Sequence, residues 1–429
     1  MKKMIKPSAV ITTSVAALML LGAAPAFAKA PAPTIASNSK VIKTANTGTK
    51  VWLGGSSFDY PFVSAVESAY TQNLNNASWF DAYSSLNSLK GREAAINSAY
   101  GNTDNASNIG FTDVPLTFDA AASPTDASLL NNASYSISDF VEIPITVGGI
   151  GIIYNLPSFT GANAATCQTD ATKYGVILSA AALAGIFNPS PTITNWNNAT
   201  ILALNPKLVV KTGTKKAPVV DHCLSDFASE AITPEVRTLD SGTSWMFSNY
   251  LHTADSAAWP SVIDMGNSSG NANSGALSTA VSATNGSIGY VEASYALINK
   301  LPTAKINDNG KAITLSAKSV AADAKAAFTK IGSNFGADSL ADFTLADAGS
   351  GYPIVGVSWA VVLKNQTNMN QAIAEAKFLE YVTNASKGFG QSLASLNGYI
   401  PLPASLSAHD QTVIGTINVG GVSALSATN

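Results

Sequence analysis

The sequence predicts an α/β fold built as two domains. Three observations lead there. Short apolar, β-rich runs alternate with stretches of helical spacing along most of the chain. The chain has 429 residues, more than one hydrophobic core ordinarily serves. Val141 to Asn155 (VEIPITVGGIGIIYN) is a β-rich run carrying Gly148, Gly149 and Gly151, too long for one straight strand. Such a segment suits a chain crossing from one domain to another.

The elements follow in order. Lys2, Lys3 and Lys6 precede an uncharged stretch from Ala9 to Gly22, and Ala26-Phe27-Ala28 then places small residues two apart. This is the pattern of a cleavable signal peptide over residues 1–28. The apolar stretch is shorter than the ~20 residues that span a bilayer. No cysteine follows it to carry a lipid, so a soluble exported protein is expected. Residues 29–48 are rich in Pro, Ala, Ser, Thr and Lys and read as a flexible entry segment.

Val51-Trp52-Leu53 reads as a strand ending at Gly54-Gly55, and Phe62 to Leu74 as a helix. Asn108 to Thr112 is a strand ahead of Asp113-Val114-Pro115, and Ala180 to Phe187 a helix. Gly266 to Ser278 is Gly/Ser/Asn-rich and reads as a surface loop. Ser287 to Val291 and Pro353 to Leu363 read as strands, and Gln371 to Val382 as an amphipathic helix. Ile306 to Asp347 is polar and alanine-rich and reads as helical excursions on the surface.

Charge and cysteine usage narrow the function. Without the three leader lysines, 21 basic residues face 27 acids, a formal charge of −6. There is no basic run, so nucleic acid is not an expected partner. Charged residues make up 12% of the chain, about half the usual ~25%, and Ser, Thr, Asn and Ala take the surface instead. In an oxidising compartment the two cysteines, Cys167 and Cys223, are expected to form a disulfide. Two cysteines cannot build a structural zinc site, and His222, His252 and His409 are scattered, so neither metal nor cofactor is expected.

Three segments place small hydroxyl residues between a strand-like and a helix-like run. They are Gly54 to Phe58 (GGSSF), Ser84 to Ser88 (SSLNS) and Arg237 to Ser244 (RTLDSGTS). A helix N-terminus has unpaired N–H groups and a partial positive charge. One such segment reads as an ordinary N-cap. Three together, with glycine for close backbone approach and an arginine beside one, suggest a convergent anion site.

From Leu53 to Leu402 the chain also resembles the phosphate-binding proteins of bacterial phosphate ABC transporters. The resemblance is carried in order by Gly55-Ser56-Ser57-Phe58 with Tyr60-Pro61, by Thr112 to Leu116 (TDVPL), and by Pro144 to Leu156 with its paired glycines. It continues through Leu183 to Asn197, Ser241-Gly242-Thr243 with Tyr250-Leu251, Gly286 to Glu292 (GSIGYVE), Tyr352 to Trp359 (YPIVGVSW) and Gly398 to Pro403 (GYIPLP).

The resemblance implies a two-lobed periplasmic-binding-protein (type II) fold, with a ligand cleft between two α/β domains joined by crossover strands. One lobe would be residues 49–146 with 300–429, the other 147–299. It implies that Ser57 and the Phe58 backbone, Ser88, and Ser241, Gly242 and Thr243 donate to one phosphate. Arg237 would supply the positive charge, and Asp113 would accept a proton that phosphate still carries and sulfate lacks. Without the resemblance, Asp113 reads as a cap of the turn before Pro115. Two departures stand out. Leu89 and Lys90 precede Gly91 where the family has a glycine-rich run, so Lys90 or Arg92 could bring extra charge. Asp240 sits one place away from the aspartate that braces the family's arginine, leaving it to pair with Arg237 or to cap the helix.

The implied role is a monomeric, non-enzymatic carrier that hands phosphate to a membrane ABC permease. The missing lipid site points to the periplasm of a two-membrane bacterium. A secreted surface or matrix protein keeping the fold, or a phosphatase on the same fold, are the alternatives. Gly266-Asn267-Ser268-Ser269-Gly270 also matches the Gly-x-Ser-x-Gly pattern of a hydrolase elbow, but no helix follows at once.

Overall fold

The computed structural model describes residues 51–74, 83–99, 108–116, 135–214, 217–227, 231–335 and 344–428. The expected leader and entry segment lie outside the described residues.

The chain opens with strand β1 (Trp52–Gly55), helix α1 (Tyr60–Leu74), β2 (Ser84–Ser85), α2 (Ser88–Ala99) and β3 (Asn108–Thr112). β1 pairs in parallel with both β2 and β3. The long strand β4 (Phe140–Tyr154) follows, then α3 (Ala164–Tyr174), β5 (Ile177–Ser179), α4 (Ala180–Phe187) and α5 (Ala199–Leu204). A hairpin, β6 (Val209–Thr214) and β7 (Ala217–His222), leads to β8 (Thr233–Pro234), α6 (Gly242–Ala254) and α7 (Ser274–Ala283). Next come β9 (Ser287–Glu292), α8 (Ala293–Ile298), β10 (Lys305–Asp308), β11 (Lys311–Ile313) and α9 (Ala317–Ile331). β12 (Val355–Leu363), α10 (Met369–Thr383) and α11 (Ala404–Ile414) complete the main elements.

The main sheet has seven strands in the order β2-β1-β3-β12-β4-β9-β8. β4 is its spine. From Phe140 to Gly149 it pairs with β12, and from Ile150 to Tyr154 with β9, both antiparallel. The run read as too long for one straight strand is therefore one strand that changes partners at Gly149/Ile150. Its glycines let neighbours approach closely. A Cβ on Gly148 would lie 2.7 Å from the Phe58 ring, and one on Gly149 2.9 Å from Val320. The β12–β4 register shifts between Ser358 and Trp359. A bulge of this kind re-aims a side chain, and Ser358 turns toward Asp113.

A glycine contact docks α2 onto the sheet. A Cβ on Gly91 would lie 2.0 Å from the Phe111 carbonyl oxygen, and one on Gly110 2.0 Å from that of Gly91. The single glycine in α2 thus serves packing behind the loop that carries Ser88.

Two readings of the sequence are corrected. Gly266 to Ser278 is not simply a surface loop: α7 starts inside it, Ser274 is buried, and the carbonyls of Asn271 and Ala272 accept from Arg237. Ile306 to Asp347 begins as a β-hairpin rather than a helix. β10 pairs in parallel with β5 and antiparallel with β11 before α9 forms. The expected lobe boundary at 299/300 therefore falls ahead of a strand that pairs with residues 177–179.

Cys167 of α3 and Cys223 after β7 form a disulfide with a Cα–Cα distance of 5.3 Å. It ties the β6–β7 hairpin, with its exposed Val219 and Val220, to α3. Reduction is expected to cost about 2–4 kcal/mol of stability by releasing loop-closure entropy. Denaturant titration with and without reductant measures it. Among the described residues no helix is long and apolar enough to cross a membrane.

Candidate functional site

The three hydroxyl-rich segments all lead into helices. Ser57 and Phe58 precede α1, Ser88 opens α2, and Ser241 caps α6, accepting from the Ser244 N–H at 3.5 Å. The fold draws these starts together. A Cβ built on Gly242 would sit 2.2 Å from Ser88 Oγ and 2.5 Å from Asp113 Oδ2. The start of α6 thus abuts the start of α2 and the end of β3. Gly242→Ala is expected to force these groups apart and to cost about 1–3 kcal/mol of stability, the usual penalty of overpacking. Denaturant unfolding of the two proteins checks this.

Asp113 is buried and accepts three hydroxyls. Ser56 Oγ donates to Oδ2 at 2.6 Å, Ser88 Oγ to the same oxygen at 3.2 Å, and Ser358 Oγ lies 2.6 Å from Oδ1. The Asp113 N–H donates to Ser88 Oγ at 3.1 Å. Burial raises its carboxyl to about pKa 6, while the Ser358, Ser56 and Ser88 hydroxyls pull the other way. Asp113 is therefore much more than a cap before Pro115.

Arg237 is buried and held from both sides. Its Nη2 donates to Ser57 Oγ and to the Ala272 carbonyl, each at 3.2 Å. Nη1 donates to Thr243 Oγ1 at 3.3 Å and Ser274 Oγ at 3.2 Å, and Nε to the Asn271 carbonyl at 3.2 Å. Glu292, at the end of β9, faces the same group. It accepts from Ser274 Oγ at 2.7 Å and from Ser57 Oγ at 3.4 Å. Burial pushes the Glu292 carboxyl up, and the Arg237 charge opposes that shift. Asp240, with φ of 62°, instead donates its N–H to Asp264 Oδ2 at 2.6 Å, and the cap of α6 is Ser241.

All eight expected residues fall in one cluster, with Ser57 alone partly exposed. Of the two extra cations, Lys90 pairs with Glu93 on the surface. Arg92 is buried behind the site and donates to Thr112 Oγ1 at 3.0 Å. Sequence reasoning missed Ser56, Ser274, Glu292 and Ser358. Ser56 was legible as half of a serine pair and Glu292 as the end of GSIGYVE. Ser358 lay within YPIVGVSW without a role assigned to it, and nothing in the sequence marks Ser274.

The hydrolase elbow is not built. Ser268 is exposed and the next helix starts only at Ser274. Among the described residues no group of His, Cys, Asp and Glu could hold a metal ion.

A family model described as a PBP superfamily domain matches residues 40–386. The chain is 28% identical over 320 residues to the phosphate-binding protein PstS 3 of Mycobacterium tuberculosis, covering 73% of this chain and 74% of that protein. It is 27% identical over 392 residues to the phosphate-binding protein PstS of Xylella fastidiosa, covering 88% and 86%. Among solved structures, the phosphate-binding protein of Stenotrophomonas maltophilia superposes with a TM-score of 0.56 at 17% identity, covering 87% of this chain and 99% of that one. A periplasmic phosphate-binding protein, PfluDING, bound with phosphate, gives 0.57 at 18% identity, covering 85% and 93%. The fold is thus that of the two-lobed type II binding proteins, as the family resemblance implied, on the α/β class that the alternation of strands and helices predicted. The chain belongs to the PBP superfamily, and its similarity within that superfamily is to the PstS phosphate-binding proteins.

Proposed function

We propose that the protein binds inorganic phosphate, without chemical change, between the starts of α1, α2 and α6, and delivers it to a membrane ABC permease from the periplasm. One observation carries this reading. A buried Asp113 ringed by hydroxyls stands beside Gly242 at the start of α6, with the buried Arg237 guanidinium held by Thr243 of the same turn. Helix starts and Arg237 attract an oxyanion. A carboxylate in the same place suits only an oxyanion that carries a proton.

Ser57, the Phe58 N–H, Ser88, Ser241, Gly242 and Thr243 are the proposed donors. Ser88 and Ser57 now bond Asp113 and Glu292, and they turn to the ligand when it enters. The names of the relatives support this ligand.

Titration calorimetry with phosphate, sulfate and arsenate tests the reading. Heat with phosphate and arsenate and none with sulfate is expected at neutral pH, and no phosphate heat would sink it. A phosphate-release assay on phosphomonoesters is expected to show no turnover. Phosphate uptake by cells expressing the protein with a cognate permease tests delivery.

A further inference from the structure

Asp59 is fully buried just ahead of α1 and belongs to none of the donors above. Its Oδ2 lies 2.6 Å from Ser358 Oγ. The same oxygen of Ser358 lies 2.6 Å from Asp113 Oδ1 and 2.8 Å from the Thr112 carbonyl oxygen. A serine hydroxyl carries one proton, and a carbonyl oxygen carries none. Three oxygens therefore converge on a hydroxyl that can donate to one of them. Two ionised carboxylates at these distances would leave at least one short oxygen–oxygen contact without a proton. Contacts of 2.5–2.7 Å are those of hydroxyl-to-carboxylate hydrogen bonds, which contain one. At least one of the two acids must donate to Ser358.

The surroundings decide which. Asp113 accepts two further hydroxyls on Oδ2, and these favour its ionised form. Asp59 accepts none: its Oδ1 is buried without a partner. The charged and titratable groups facing Asp59 are Asp113 after β3, Glu292 at the end of β9, Tyr83 ahead of β2 and Tyr399 ahead of α11. Two of these are acids, two are phenols and none is a cation. The Arg237 charge acts on Glu292 and Asp113 instead.

We propose that Asp59 is a positioning residue that stays protonated at neutral pH and donates to Ser358, whose own proton then goes to Asp113. Asp113 is thereby held ionised toward the cleft as the acceptor for the ligand's proton. Its role in ligand choice rests on the phosphate reading, while its protonation stands on the oxygen geometry alone. Burial, followed by the Asp113 charge, pushes the Asp59 carboxyl well up, in the same direction. The acid is kept neutral, so the cleft holds one fewer negative charge when an anion arrives.

The difference infrared spectrum of ligand-free wild type against Asp59→Asn reads this directly. A protonated-carboxyl carbonyl band at pH 7, present in wild type and lost in the variant, is expected, and no difference there would overturn the proposal. Asparagine also donates to Ser358 but cannot ionise. Its phosphate affinity at pH 7 is therefore expected within about threefold of wild type, and a loss beyond about tenfold would overturn the proposal. As pH rises further, wild type is expected to lose affinity relative to Asp59→Asn; parallel profiles up to full ionisation of Asp59 would count against it. If wild type binds no phosphate at all, the phosphate reading fails while the infrared result still decides the protonation.

Discussion

Arg237→Ala is expected to lower phosphate affinity by about 3–5 kcal/mol, two to four decades in Kd, as when one partner of a buried charge pair is removed. The reasoning starts from charge. Arg237 is the cation in a buried cluster that also contains Asp113 and Glu292. Without it Glu292 keeps the Ser274 and Ser57 hydroxyls but loses the charge that offsets its burial. An incoming anion then meets the two acids with no cation from this group to offset them. Arg237→Lys restores the charge but not the fork that reaches Ser57, Thr243 and Ser274 at once. Partial recovery is therefore expected. Calorimetry on both variants, with thermal unfolding as the control for folding, separates charge from geometry. Wild-type affinity in Arg237→Ala would remove the guanidinium from the site.

Asp113→Asn is expected to erase most discrimination between phosphate and sulfate. On the proposed reading an ionised Asp113 would accept the proton of phosphate, whereas sulfate would set two acceptors face to face at about 1–3 kcal/mol or more for each unmet buried group. An amide can turn its N–H₂ toward sulfate, so the variant is expected to bind both ions. The same change should be reachable by pH. The Asp113 carboxyl is raised to about 6, mainly by burial. Above that pH it is ionised and is expected to reject sulfate. As pH falls through about 6 it gains a proton, becomes a donor and is expected to tolerate sulfate. Sulfate competition against labelled phosphate should therefore strengthen on acidification from pH 7 to 5 in wild type and stay flat in Asp113→Asn. A flat wild-type profile would overturn this account of Asp113.

Much of this site was legible in the chain because its proposed donors sit at helix starts, and helix starts have local signatures. Ser57, Ser88 and Ser241-Gly242-Thr243 each lie between a strand pattern and a helix pattern, and the structure puts each where that pattern implies. Strand Asn108–Thr112 and helix Ala180–Phe187 match their sequence readings residue for residue, because each is bounded by strong local signals. The missed parts are held by contacts that no local pattern encodes. Ser358 reaches Asp113 across 245 residues, aimed by a bulge that depends on the pairing of β12 with β4. Ser274 and the Asn271 and Ala272 carbonyls lie in a Gly/Ser/Asn-rich segment whose composition resembles any exposed loop. β10 was hidden in a polar run because its partner, β5, is a short strand far back in the chain.

The change of partners along β4 has a mechanical consequence. The two sides of the site are joined there by a hydrogen-bonded ribbon rather than by a loose tether. Any rotation that parts Ser57 from Arg237 must twist that ribbon near Gly148, Gly149 and Gly151, where side chains of neighbouring segments press directly on the backbone. The ribbon then acts as a torsion spring. Side chains added at those glycines would meet Phe58, Val320 and Leu315 and are expected to stiffen it further.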